Sequence, residues 1–153
     1  MEVIALEKNI AVEQLDQKPV EEQDIEFVER KGMGHPDFIA DSLAENLSVE
    51  LCREYMNRFG RILHHNVDKV LVVGGQRNPV FGVGVFLAPI YIILSGRAVT
   101  EVKARDGSQS IPIGTIALRS AKTWLKENFR FLDVEHNVII DYKIGKGLSL
   151  IHI

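Results

Sequence analysis

The segment Gly32-Met33-Gly34-His35-Pro36-Asp37 leads directly into a helical pattern. A helix start presents unpaired N–H groups and a partial positive charge, and both attract phosphate. Flanking glycines, Gly34 above all, let a ligand approach the backbone closely. His35 stands just before the helix, where it can donate to an oxyanion, and Asp37 lies in the first turn. A carboxylate beside phosphate is repulsive unless a cation lies between them. The pair therefore points to magnesium bridging Asp37 and substrate phosphates. A plainer reading stands beside it: acidic residues favour first helical turns for the dipole alone, and a His before a Pro can be an ordinary loop residue.

His64-His65-Asn66-Val67-Asp68-Lys69 is a second polar constellation. Adjacent histidines on a regular element face different ways, and the spacing fits no zinc pattern. Asp68 and Lys69 come just before an apolar run that reads as a strand, a common place for functional side chains. Lys69 thus joins His35 and Asp37 as a catalytic candidate, with Asp41, His65, Asn66 and Asp68 as further polar site residues; the alternative is a polar loop with ordinary hydrogen bonds. Gly74-Gly75, Gly82 and Gly84 match neither the P-loop nor the dinucleotide fingerprint, and such glycines more often mark turns and bulges. Gly145-Lys146-Gly147 has the form of a small phosphate-cradling turn with a lysine.

The elements that must hold these residues can be read from periodicity. Ile39, Leu43, Leu47, Leu51 and Tyr55 recur every four positions and predict a helix over 36–59. Pro36 suits its first position and Gly60 its stop. Residues 1–23 read as a polar arm with one short helix, and Ile25–Val28 as a short strand. Val70–Val73 is a buried strand and 75–79 a loop. Further strands are expected near 83–87, 90–95 and 98–103, with a turn at Asp106-Gly107-Ser108. A second helix is expected from about Thr115 to Phe129, and a last strand over Val138–Lys143. The fold class is α+β: two layers, a mixed sheet with helices on one face, in a β-α-β-β-α-β-like unit. The domain plan is an arm (1–23), an α+β catalytic-domain portion (24–147) and an atypical tail (148–153).

Composition bounds the function. The chain has 153 residues, 46% apolar and 25% charged, with a net charge of −3. These values suit one soluble domain and give no reason to expect nucleic-acid binding. The apolar stretch Val80–Leu94 is too short to cross a bilayer and is broken by Gly82, Gly84 and Pro89. One cysteine, Cys52, and the lack of a signal-peptide pattern at the first residues suggest a cytoplasmic setting. The strands of 80–94 are apolar at successive positions, so one face needs cover beyond the helices.

Taken together, the motifs are far more specific than any one of them. Glu29-Arg30-Lys31-Gly32-Met33-Gly34-His35-Pro36-Asp37, followed by Ile39-Ala40-Asp41, resembles the Gly-His-Pro-Asp signature of S-adenosylmethionine synthetases. His64–Lys69 with Gly74-Gly75, Pro89-Ile90-Tyr91, Ser95–Ala98, Ile113–Ala117 and Ile139–Gly145 resemble the archaeal branch of that family. The resemblance runs in order along nearly the whole chain.

The resemblance implies methionine adenosyltransferase chemistry. Methionine sulfur attacks C5′ of ATP and displaces the triphosphate, which is cleaved to phosphate and pyrophosphate. In the matching positions His35 would lie against the leaving group, Asp37 would bind Mg2+, and Glu29 would lie in the nucleotide site. Gly145, Lys146 and Gly147 match the start of the ATP-binding loop. The family further implies ATP and L-methionine as substrates, potassium as a second cation, and a homodimer sharing its active sites. Two departures stand out. Valines occupy Phe81-Gly82-Val83-Gly84-Val85 where the archaeal pattern is richer in glycine, and Leu148–Ile153 replaces the Ser and Asp that commonly follow the loop. The expectation is a truncated or frame-shifted reading that is inactive by itself. The alternatives are a non-catalytic ATP- or polyphosphate-binding module, and a metal-dependent phosphohydrolase using Asp37, Asp41 and Asp68.

Overall fold

The computed structural model describes residues 10–81, 83–104 and 107–147. The chain forms two compact units, one ending at Arg30 and one beginning at Lys31. The described part of the first unit holds a short 3-10 helix, Val20–Glu22, and is otherwise irregular. The strand expected at Ile25–Val28 does not form: Ile25, Phe27 and Val28 are exposed. Among the described residues no strand pairs with this segment, and a strand without a ladder leaves its backbone to water.

In the second unit, helix α1 (Pro36–Phe59) has the bounds that its periodicity and caps predict. Leu43, Leu47, Leu51 and Tyr55 are fully buried. Gly60 takes a left-handed conformation (φ 66°), and its N–H donates to the Met56 carbonyl at 2.9 Å. A helix commonly stops this way, since glycine adopts that conformation without a Cβ penalty.

The strands are β1 (His65–Val73), β2 (Gln76–Val80), β3 (Val83–Ala88), β4 (Ile90–Ala98), β5 (Glu101–Ala104) and β6 (Gly107–Ser110). Helices α2 (Ile113–Asn128) and α3 (Val134–Asn137) follow, then strand β7 (Val138–Lys146). The main sheet has the order β1-β4-β7, with β4 antiparallel to β1 and parallel to β7. It is therefore mixed, and α1 and α2 pack on it as the second layer. Ile92 and Leu94 face the helices and are buried, joined from α2 by Ile116, Ala117, Ala121 and Leu125. The opposite face carries Leu71, Val73 and Ile139, all about half exposed. Among the described residues no helix is long and apolar enough to cross a membrane.

Several boundaries differ from the sequence reading. β1 begins at His65, so the His64–Lys69 motif is mostly strand rather than loop. Residues 76–79, part of the loop expected at 75–79, pair together with Val80 against β3 in a separate hairpin, which removes much of Val80–Leu94 from the main sheet. The strand expected over 98–103 is split between β4 and β5. Gly107 and Ser108 belong to β6, while Asp106 lies outside the described residues, as do Gly82 and the tail 148–153. α3 was not foreseen, and β7 runs three residues past Lys143.

β1 carries an extra residue between Asn66 and Lys69, which face Arg97 and Ser95. Opposite this bulge, Gly96 has φ 155°, and a Cβ there would overlap the Asn66 carbonyl oxygen. Only glycine lets the strands close at this point.

Candidate functional site

His35 is the N-cap of α1, and it caps with its ring: Nδ1 accepts from the Asp37 N–H at 3.1 Å. An accepting Nδ1 carries no proton, so in the neutral ring the N–H is on Nε2. Among the described residues, the exposed Nε2–H meets no acceptor. Asp37 forms an ion pair with Lys31, both being more than half exposed. The hydrogen bond from Lys31, reinforced by its charge, holds the Asp37 carboxyl below its usual range, and Asp37 raises Lys31 in turn. Asp41 adds weakly to the field on Lys31. This donor set fits magnesium in the manner of a phosphate complex: one exposed carboxylate at an anion-attracting helix start, with the remaining ligands free to come from phosphate and water.

The sheet and α1 bring a second group together. Asp41, Glu45 and Ser48 from α1, with His64 and the start of β1 from His65 to Asp68, line a cleft of about 560 Å³. His65 Nδ1 lies 2.9 Å from the Leu63 carbonyl, which can only accept, so Nδ1 carries the proton. In the neutral ring Nε2 then accepts from the Ser48 hydroxyl at 2.9 Å, with Cys52 Sγ at 3.8 Å. Asp68 turns to Lys69 (2.8 Å), whose hydrogen bond holds the carboxyl below its usual range. Lys69 lies on the other side, beside Leu71, Ile93 and Ser95.

Asp41, His65, Asn66 and Asp68 thus share one cleft, while Asp37 and His35 do not line it. Among the described residues no three His, Cys, Asp or Glu side chains converge as a metal site. Asp37 thus stands apart from the cleft that Asp41 and Asp68 share. Glu29 belongs to the unit ending at Arg30, where it is exposed and irregular.

The two phosphate elements read from the sequence stand at opposite ends of the sheet. Gly34, Pro36 and Ile39 border an apolar pocket of about 290 Å³ with Gly74, Gly75, Ile90 and Val138, where β4 and β7 begin. Gly145 and Lys146 face Arg97 and Ala98, where β4 ends. Gly147 follows, its N–H bonded to the Ala98 carbonyl at 2.7 Å. Nine residues of strand separate the two ends, roughly 26 Å at the usual rise.

Sequence reasoning missed three partners. Lys31 was legible as a charge six residues before Asp37. Glu45 repeats Asp41 one turn on. Ser48 gave no signal, because its role depends on where β1 lands.

The fold is a two-layer α+β unit with an exposed His–Asp pair at a helix start and a lysine at the far end of the same sheet. The comparisons give that class its particular form: the chain belongs to the S-adenosylmethionine synthetase (AdoMet synthetase) family, whose model matches residues 8–152. It is 60% identical over 141 residues to an S-adenosylmethionine synthase of Hyperthermus butylicus, covering 92% of this chain and 34% of the relative. It is 56% identical over 140 residues to that of Sulfolobus acidocaldarius, covering 92% and 35%. With that of Pyrobaculum neutrophilum it shares 55% over 138 residues, covering 90% and 34%. The chain thus spans about a third of the length of these curated relatives.

Proposed function

We propose that this chain supplies the phosphate-handling helix start of a methionine adenosyltransferase, which makes S-adenosylmethionine from ATP and L-methionine and releases phosphate and pyrophosphate. The observation that carries the reading is the cap geometry. His35 gives Nδ1 to the helix, and among the described residues its Nε2–H has no acceptor, so a donor is fixed in place before any substrate arrives. Donation from Nε2 would stabilise the charge that develops on the triphosphate oxygen as the C5′–O bond breaks. Lys31 steadies Asp37 and supplies a positive charge beside the same helix start. Magnesium, held by Asp37 together with phosphate oxygens, would neutralise the phosphate chain. Potassium is assigned no residues.

Residues 24–147 form the catalytic-domain portion in this reading, in a cytoplasmic enzyme. Lys146 stands at the opposite end of β7 from Gly34 and Pro36, roughly 26 Å along the strand, which is more than one triphosphate spans. The Gly145-Lys146-Gly147 turn therefore serves a different site from the one at its own α1. A homodimer, paired through the apolar outer face of Leu71, Val73, Ile93 and Ile139, would let each copy contribute to both sites.

A chimera tests the proposal: residues 1–147 joined to the remaining two thirds of the Hyperthermus butylicus relative. It should convert labelled methionine and ATP to S-adenosylmethionine with magnesium. His35→Ala in that chimera should slow the single-turnover chemical step by about a hundredfold, the scale for one lost oxyanion donor, with little change in Tm. A folded, dimeric chimera without turnover, or an unchanged chemical step in the variant, would overturn the reading.

A further inference from the structure

β4 and β7 run parallel and end together, with Ala98 facing Lys146. Only Val99 and Thr100 separate Ala98 from β5, which begins at Glu101. This short link returns the chain to the end of β7, where Lys146 Nζ lies 3.4 Å from Glu101 Oε2. The other carboxylate oxygen, Oε1, accepts from the hydroxyl of Ser108 on β6. The β5–β6 ladder pairs Glu101 with Ser110, so Ser108 reaches it diagonally along one face. The Ser108 hydrogen bond, followed by the hydrogen bond and charge of Lys146, holds the Glu101 carboxyl below its usual range. Glu101 is therefore an anion at neutral pH, fixed on one side by a hydroxyl and aimed on the other at an ammonium.

We propose that Glu101 is a positioning residue for phosphate recognition: its carboxylate, steadied by Ser108, holds Lys146 in place of a phosphate oxygen and yields it when a phosphate chain arrives. The inference rests on reading Gly145-Lys146-Gly147 as part of a phosphate site. Both partners are substantially exposed, with side chains 63% and 43% accessible. Such a pair is weak enough to exchange for a ligand carrying several charges. The arrangement keeps a flexible side chain near its working position, and it sets a competitor against every anion that approaches.

Site-resolved amine labelling reads this directly. The purified chain would be treated with an acetylating reagent, with and without sodium tripolyphosphate, and each lysine quantified by mass spectrometry. Lys143 is an internal control, since its carboxylate partner is Asp141 at 3.5 Å. In Glu101→Gln, Lys146 should label about two- to fivefold faster, the range a surface ion pair allows, while Lys143 stays constant. Half-protection should need roughly two- to fivefold less tripolyphosphate than in the parent. Ser108→Ala should shift both values the same way by less, and it stands in if the first variant fails to fold. If tripolyphosphate protects Lys146 equally in parent and variants, Glu101 is no competitor and the inference fails, although the phosphate reading survives. If tripolyphosphate protects Lys146 in none of them, the phosphate reading fails and the role of Glu101 with it.

Discussion

Gly96→Ala isolates the contact on which the cleft depends. The added Cβ would lie on the Asn66 carbonyl oxygen, 2.7 Å from Val67 Cα and 3.0 Å from Asn66 C. All three are backbone atoms, so no side chain can turn away and β1 itself must move. Overpacking of this kind costs about 1–3 kcal/mol. A positive φ for alanine adds about 1–2 kcal/mol, and the stiffer unfolded chain returns about 0.4–1 kcal/mol. The net loss is about 2–4 kcal/mol, a large part of the ~5–15 kcal/mol typical of a domain. Gly60→Ala is the matched control, because its φ is also positive (66°) and, among the described residues, nothing beyond its chain neighbours lies within 4 Å of the added Cβ. It should cost only about 1 kcal/mol. Urea denaturation followed by Trp124 fluorescence would compare them. With m near 2 kcal/mol/M, the middle of the usual range, the Gly96 variant should lose about 1–2 M in midpoint. Equal midpoints for the two variants would show that the bulge does not need glycine. The displaced strand should also part His65 from Ser48, and the His65 ring resonances in NMR would report that.

Other perturbations reach the core and the surface. Tyr55 is fully buried and donates to the Val99 carbonyl at 3.0 Å, and burial pushes its pKa from 10.0 up to about 12. Its stabilising contribution is complete below pH 10 and is lost as pH rises toward 12. Tyr55→Phe should cost about 1–3 kcal/mol at neutral pH, from the carbonyl left unpaired. It should also flatten the alkaline limb of a stability–pH curve, and an unchanged limb would remove Tyr55 as its source. Glu135 is held at about 2 by hydrogen bonds from Lys122 and Lys126 and by their charges. Its contribution is present above its usual 4.5 and lost as pH falls toward 2. Thermal melts of Glu135→Gln between pH 2 and 6 should show a shallower acid decline than the parent, and identical profiles would deny the pairing any role.

The sequence disclosed most where one element explains itself. α1 carries its own start in His35-Pro36, its stop in Gly60, and its buried stripe every fourth residue, so its limits could be read without a partner. Strands depend on neighbours. Ile25–Val28 had strand composition but finds no ladder among the described residues, whereas Gln76–Val80 lacked it and pairs with β3 all the same. The site divides along the same line. Lys31 and Asp37 are close in sequence, and His35 and Asp37 were legible as a helix start. Ser48 meets His65 only because α1 lies across β1, and Glu101 meets Lys146 only because β7 runs parallel to β4. No periodicity in the chain announces either meeting.

That parallel pairing also orders events during synthesis. β4 is the central strand, yet each of its residues pairs on one side with a residue 48 positions later. The antiparallel side can close as soon as β1 and β4 have left the ribosome. The other side must wait until β5, β6, α2 and α3 have followed and β7 has emerged. Through that interval β4 presents a bare hydrogen-bonding edge beside Ile92 and Leu94, a template that other nascent strands can join. The waiting time grows with the length of the crossover. A ribosome stall between Ile113 and Val138 would therefore hold the chain in its most aggregation-prone form, one step before the strand that seals it.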